Sequence, residues 1–382
     1  MFQMIYLDNS ATTQPYPEVL ESFQNASTQF FANPSSIHQL GGRTETLLTR
    51  AREQAAELLG VNKREIVFTS GGTEGNNLAI KGIALEHQNR GKHIITSQTE
   101  HPSVYEACQS LEKLGFKVTY LPVNEEGIVS LTELQKSIRK DTILISIMHV
   151  NNELGTIQPI EEIGEIAKEH PKLFFHVDYV QGLGKISLNF KKYGIDLCTM
   201  SGHKIHGLKG TGILYVGEGV TLHPLLHGGG QEEFYRSGTE NLAGAVSLVK
   251  ALRMSMENMK MNIDKITDLN NHLRQELGEI KGVIINTPLN GAPHLMNISV
   301  LGLKPEVIIH SLGEEHIFIS TKSACSSKNN VESRVLTACG FSSERATTAL
   351  RISMSYQTTE DDINTFLNIF KKIVNQLKLI ME

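Results

Sequence analysis

Asp178 and Lys204 are the first residues whose types and placement suggest chemistry. Asp178 closes the apolar run "LFFHVD" (173–178), and Lys204 stands just past "DLCTMS" (196–201), among Ser201, Gly202, His203 and Gly207. A carboxylate at the end of an apolar strand needs a cationic or hydrogen-bonding partner. Capping a helix is the plainer use for it. A lysine held among small residues can lose its proton and form a Schiff base with an aldehyde. One carboxylate to hold a pyridinium and one lysine to bind an aldehyde are what pyridoxal phosphate chemistry requires. Gln181 follows Asp178 closely enough to reach the same ligand.

The stretch "TSGGTEGNN" (69–77) follows a strand-like run and opens a helical one. Glycines such as Gly72 let a backbone approach a ligand, Ser70 and Thr73 add hydroxyl donors, and a helix N-terminus favours an anion. This is a candidate phosphate seat, with an ordinary glycine-rich turn as the alternative. It is not a Walker loop, because no Gly-Lys-Ser/Thr follows. "GLKGTG" (207–212) leads into a strand instead of following one, which argues against a dinucleotide site. His101, in "TEHPSV", lies past the run "HIITSQ" and is expected to stack on a cofactor ring with acid–base duty. Asn152, in "HVNNELG", is placed for cofactor or substrate, whereas His149 reads as a satisfied core residue. Arg351 alternates with Leu350 and Ile352 in "TTALRISMS". Capture of a substrate carboxylate through two hydrogen bonds is one reading of it. A salt bridge at a sheet edge is the other.

Cys108, Cys198 and Cys339 lie on apolar patterns and read as small buried hydrophobes. Cys325 differs. It sits in "STKSACSSKNN" (320–330), a polar stretch with no apolar period. Its thiol is either incidental or a nucleophile on a loop that moves. Four cysteines in 382 residues make no disulfide framework, which points to the cytoplasm, and no Cys-x-x-Cys pair suggests a zinc site. A net charge of −5 gives no reason to expect direct nucleic-acid binding. The first residues do not look like a signal peptide, and no stretch is apolar enough to span a membrane.

Positioning these residues falls to an alternation of short apolar runs with helical patterns. Strands are expected at 65–70, 93–98, 117–123, 142–150, 173–178, 196–201 and 211–216, with helices at 102–114, 130–139 and 159–170 between some of them. Alternation of this kind predicts an α/β fold with an open, mainly parallel seven-stranded sheet and ligands beyond its carboxyl ends. After about residue 256 the rhythm changes to a polar helix over roughly 257–279, short strands, and a C-terminal helix from about Thr359. That predicts a large domain over 15–256 and a smaller α+β domain from 257–382 with the arm 1–14.

The motifs together resemble the NifS/IscS-type cysteine desulfurases, class-V aminotransferase relatives of pyridoxal-phosphate fold type I. They run nearly end to end: "YLDNSATT" (6–13), "NPSS" (33–36), "IVFTSGGTEGNNLAIKG" (66–82), "TEHPSV" (99–104), "SIMHVNNELG" (146–155), "HVDYVQ" (176–181), "SGHKIHGLKGTG" (201–212), "RSGTEN" (236–241), "SACSS" (323–327) and "LRIS" (350–353). The resemblance implies that Lys204 binds the cofactor aldehyde, Asp178 the ring nitrogen and Gln181 the ring hydroxyl, with His101 stacked on the ring. It implies that Thr73, Ser201 and His203 hold the phosphate, that Gly72 also binds the cofactor, and that Thr239 reaches the phosphate of a second subunit in a homodimer. Arg351 and Asn152 would orient L-cysteine, and Cys325 would take its sulfur as a persulfide, releasing alanine. The acceptors it implies are a tRNA thiolation enzyme of the ThiI type or an iron–sulfur scaffold. The chain departs from the family at Tyr179, where alanine is usual, and at Lys322 and Glu332. A ring at Tyr179 is expected to alter stacking or narrow the pocket, and Lys322 and Lys328 to favour the Cys325 thiolate. Another fold-type-I aminotransferase or lyase, with Cys325 incidental, is the alternative.

Overall fold

The computed structural model describes residues 4–321 and 332–381. A short strand β1 (Ile5–Tyr6) is followed by two helices that the strand pattern did not call for, α1 (Pro17–Gln29) and α2 (Gln39–Leu59). Then come β2 (Ile66–Thr69), α3 (Gly72–Glu86), β3 (His93–Ser97), α4 (Pro102–Glu112), β4 (Lys117–Leu121) and α5 (Leu131–Ser137). The series continues with β5 (Thr142–Met148), α6 (Ile160–Lys168), β6 (Phe174–Asp178), β7 (Leu197–Ser201) and β8 (Gly212–Val216). The remainder holds α7 (Leu242–Gly278), β9 (Val283–Ile285), β10 (Leu295–Val300), α8 (Pro305–Glu314) and β11 (Ile317–Phe318). It ends with α9 (Arg334–Ala338), α10 (Ser343–Thr347), β12 (Ala349–Ser353) and α11 (Glu360–Met381).

All seven expected strands join one sheet, in the order β2-β8-β7-β6-β5-β3-β4, with β8 antiparallel to both neighbours and the other pairs parallel. The near-continuous apolar runs are explained by burial on both faces. Ile145 and Ile147 of β5 face a core shared with α2, α6 and the first part of α7. Leu144 belongs to the opposite core, under α3 and α4. Cys108, Cys198 and Cys339 are buried, as their apolar settings implied.

A second core gathers the later elements. It packs α8, α11 and the end of α7 on the three-stranded sheet β12-β10-β9 and on the parallel pair β1-β11. The polar helix expected at roughly 257–279 starts at Leu242 instead. Asn241 caps it by accepting from the Gly244 N–H, and the helix runs unbroken for 37 residues. Leu248 and Leu252 sit in the first core, while Leu269 and Leu273 sit in the second. The change of composition near residue 256 therefore marks a change of neighbours along one helix, with no linker. From these separate cores we infer two units, 15–256 and 257–382 with the arm 1–14.

Two histidines are built into the large sheet. His93 bonds Thr142 Oγ1 at 2.7 Å and Thr119 Oγ1 at 2.8 Å, and His176 bonds Ser146 Oγ at 2.8 Å and Thr199 Oγ1 at 2.9 Å. Burial pulls their pKa values down to about 4 and about 3. Unfolding frees both to titrate near the ordinary histidine value, so the unfolded chain binds more protons between that value and the folded ones. Stability contributed by neutral His93 and His176 is therefore full above pH of roughly 6.5 and declines as pH falls toward 4. Urea midpoints measured across that window should fall with pH, and His93→Gln should flatten the slope. An unchanged slope in that variant would refute the assignment.

Candidate active site

The carboxyl ends of β3, β5, β6 and β7 and the start of α3 surround a cavity of about 170 Å³. Its wall contains Gly72, Thr73, His101, Asn152, Asp178, Gln181, Ser201, His203, Lys204 and Arg351, so ten of the residues singled out in the sequence converge on one space. Close packing at the head of α3 makes room for it. A Cβ on Gly72 would stand 2.9 Å from Val180 Cγ2, and one on Gly75 would stand 2.7 Å from Thr199 Cγ2. The helix start therefore approaches the strand ends only because those side chains are missing.

Lys204 follows β7 in a single tight turn, Gly202–Lys204. Its Nζ donates to the carbonyls of Ser10 at 2.5 Å and Ala11 at 2.7 Å. Lys185, from the loop after β6, donates to the Lys204 carbonyl at 3.0 Å. Gln181 Nε2 donates to the Ser10 carbonyl at 3.0 Å. Thr12 Oγ1 lies 3.2 Å from His203 Nδ1. Asp178 is 5% exposed and accepts from Asn76 Nδ2 at 2.8 Å and the Val180 N–H at 3.0 Å. Burial raises its pKa, against these bonds and the Lys204 charge. A cationic ring nitrogen is the partner such a carboxylate needs.

His101 caps α4, accepting from the Ser103 N–H at Nδ1 over 3.2 Å, with Ser103 Oγ 2.8 Å from the same nitrogen. The ring proton therefore sits on Nε2. Burial, followed by the charges of Lys204, Arg334 and Arg351, pulls its pKa down to about 4. A neutral ring suits stacking and donation from Nε2. It does not store a proton at neutral pH. A chain of bonds ties this ring to the carboxylate, because Asn76 Nδ2 also donates to Ser103 Oγ at 2.8 Å. Asn76 lay inside a quoted motif without being singled out. Its place in α3 gave no sign of a contact with residue 178.

Five buried side-chain atoms on the cavity wall have no partner among the described residues: Ser10 Oγ, Asn76 Oδ1, Gln181 Oε1, Ser201 Oγ and Arg351 Nε. Buried polar atoms of this kind call for a polar ligand. A pyridine ring with hydroxyl, aldehyde and phosphate groups fits that donor set: Asp178 for the nitrogen, Gln181 for the hydroxyl, Lys204 for the aldehyde. Thr73, Ser201 and His203 lie beside the start of α3 for the phosphate.

Other expectations come out differently. Tyr179 does not line the cavity. Its ring is 2% exposed in the core below, 6.0 Å from Phe190 and 5.2 Å from His149 between ring centres, and its hydroxyl donates to the Ile186 carbonyl. Alternation at the strand end turns it away, so it neither stacks on a ligand nor narrows the pocket. His149 is buried, but its Nδ1 has no partner among the described residues, so it is not fully satisfied there. Arg351 combines both readings of its role. It lines the cavity and also forms a salt bridge with Asp8 on the edge strand β12. Ser70 and Thr239 are exposed and lie outside this cavity. Glu332 is exposed and accepts from Ser343 Oγ. Cys325, Lys322 and Lys328 lie outside the described residues.

The model of the family "Aminotransferase class-V" matches residues 5–366. The chain belongs to the class-V aminotransferases. It is 44% identical to "Cysteine desulfurase IscS" of Dictyoglomus turgidum, over 100% of this chain and 97% of that protein. It is 45% identical to "NifS/IcsS protein homolog" of Lactobacillus delbrueckii subsp. bulgaricus, over 99% of each. A solved "NIFS-LIKE PROTEIN" superposes with a TM-score of 0.92 at 36% identity, covering 98% of this chain and all of that one. "SspA in complex with cysteine" superposes with a TM-score of 0.79, also at 36% identity, covering 93% and 99%. The protein is thus a NifS/IscS-type member with the pyridoxal-phosphate fold type I, and its cofactor is pyridoxal 5′-phosphate.

Asn76 supplies the sharpest test of the site. Asn76→Ala removes a hydrogen bond to a buried charge, worth roughly 1.5–3 kcal/mol. Titration of the protein with pyridoxal phosphate, read by visible absorbance, should show about tenfold or more weaker binding. Wild-type affinity in that variant would contradict the role given to the bond.

Proposed function

We propose that the chain, as a cysteine desulfurase, moves sulfur from L-cysteine onto Cys325 and then to an acceptor protein. The observation that carries this reading is the convergence of Lys204, Asp178, Gln181, His101 and Arg351 on one cavity. Bound there, pyridoxal phosphate supplies an electron sink for bonds at the substrate α-carbon. Asp178 would hold the ring nitrogen, His101 would cover the ring, and Thr73, Ser201 and His203 would hold the phosphate. Arg351 and Asn152 orient the substrate carboxylate. Lys204 carries protons between its Nζ and the substrate carbon, with the Ser10 and Ala11 carbonyls as acceptors when it is charged. The Cys325 thiolate attacks the substrate sulfur. The sulfur–sulfur bond forms as the carbon–sulfur bond breaks, and the released electron pair stays on that carbon, which takes up one proton to leave alanine. Support for the substrate comes from a relative whose solved structure holds cysteine.

The acceptor we propose is a tRNA thiolation enzyme of the ThiI type or an iron–sulfur scaffold, with the protein acting in the cytoplasm. A homodimer is proposed as well. Thr239 and Phe234 are both exposed, which leaves that stretch open to a second subunit. Among the described residues no helix is long and apolar enough to cross a membrane.

Alanine and sulfide formation from L-cysteine tests the reading. Cys325→Ser should keep the visible absorbance of the bound cofactor and lose at least about 99% of sulfide release, the scale of losing a nucleophile. Lys204→Ala should lose both the lysine-linked absorbance and turnover. Wild-type sulfide release by Cys325→Ser would overturn the persulfide route.

A further inference from the structure

Arg351 is 1% exposed, and among the described residues its ion-pair partner is Asp8. Nη2 donates to Asp8 Oδ1 at 3.0 Å, Nη1 donates to the Asn152 carbonyl at 2.8 Å, and Nε has no partner among the described residues. The guanidinium is thus anchored on two nitrogens while it lines the cavity. Asp8 itself does not line the cavity. Its backbone is fixed, because residue 8 bridges to Ser353 of β12. The next two residues fasten the same place. Asn9 Nδ2 donates to the Ser353 carbonyl at 2.9 Å, and the Ser10 N–H donates to Ser353 Oγ at 2.8 Å.

A buried arginine stripped of its counter-charge is strongly disfavoured, and it can relieve that cost by turning toward water. We propose that Asp8 is a positioning residue for recognition of the substrate carboxylate: it keeps Arg351 aimed into the cavity without touching substrate. This rests on the reading that Arg351 binds that carboxylate. The mechanism is one of charge and direction. Asp8 fixes Nη2, the Asn152 carbonyl fixes Nη1, and the unfilled donors are left for the incoming anion. Because Asp8 also lies within the field of Lys204, the cofactor linkage has to be followed separately.

The test is a double-mutant cycle on the cofactor-loaded protein, with Asp8→Ala, Arg351→Gln and both together. Steady-state turnover of L-cysteine and the visible absorbance of the bound cofactor are the readouts. Asp8→Ala should raise KM roughly tenfold or more with kcat changed less than about threefold, the pattern of lost substrate binding. Absorbance should stay at the wild-type position. Added to Arg351→Gln, Asp8→Ala should change KM by less than about twofold, because the residue acts through the arginine. Asp8→Asn, which keeps an acceptor and loses the charge, should fall between wild type and Asp8→Ala, and it carries the same comparison if Asp8→Ala fails to fold. A raised KM in Arg351→Gln with an unchanged KM in Asp8→Ala would overturn the Asp8 role alone. Full multiplication of the two effects, or loss of the cofactor absorbance in Asp8→Asn, would also overturn it by showing a merely structural residue. An unchanged KM in Arg351→Gln would instead refute the reading of Arg351 itself.

Discussion

The site depends on a strap of backbone, residues 8–13, laid between the two packed cores. Its Ser10 and Ala11 carbonyls accept from Lys204, and its Asp8 carboxylate pairs with Arg351. The Thr13 N–H and Oγ1 both bond the His203 carbonyl, and Thr13 Oγ1 accepts from the His206 N–H. The same strap is stitched to β12 through Ser353. Two cations drawn from distant parts of the chain are therefore compensated by one short segment. Without it, Arg351 would lose the carboxylate it pairs with among the described residues.

Charge elsewhere in the cavity is limited by burial. His101 and His203 are both pulled down to about 4 and are neutral at physiological pH. The charged groups on the wall are then Lys204 and Arg351, faced by Asp178, with Asp8 behind. Under the function proposed above, such an arrangement leaves proton movement to Lys204 and keeps both imidazoles neutral. Ser201 Oγ and Gln181 Oε1 have no partner among the described residues, and we propose that the cofactor completes the network there.

Much of this could be read before any coordinates. Runs buried on both faces name their own strands, so the seven-stranded sheet was legible, and residues just past strand ends were the right ones to inspect. What stayed hidden depends on long-range contacts. Asp8 meets Arg351 across nearly the whole chain, and Asn76 meets Asp178 through packing of α3 that no local pattern announces. Tyr179 could be misjudged because adjacent residues at a strand end point to opposite sides, and only the register tells which one faces the ligand. The start of α7 was missed because its apolar first half and polar second half look like different elements when they are one helix between two cores.

Hydrogen exchange at the Asn9 and Thr13 amides tests the central role of the strap most directly. Both are bonded to backbone carbonyls, of Ser353 and His203 respectively. In the cofactor-loaded protein they should exchange as slowly as amides in the middle of β7 and β12. Exchange at the rate of a free chain terminus would contradict a strap that holds Lys204 and Arg351 in place.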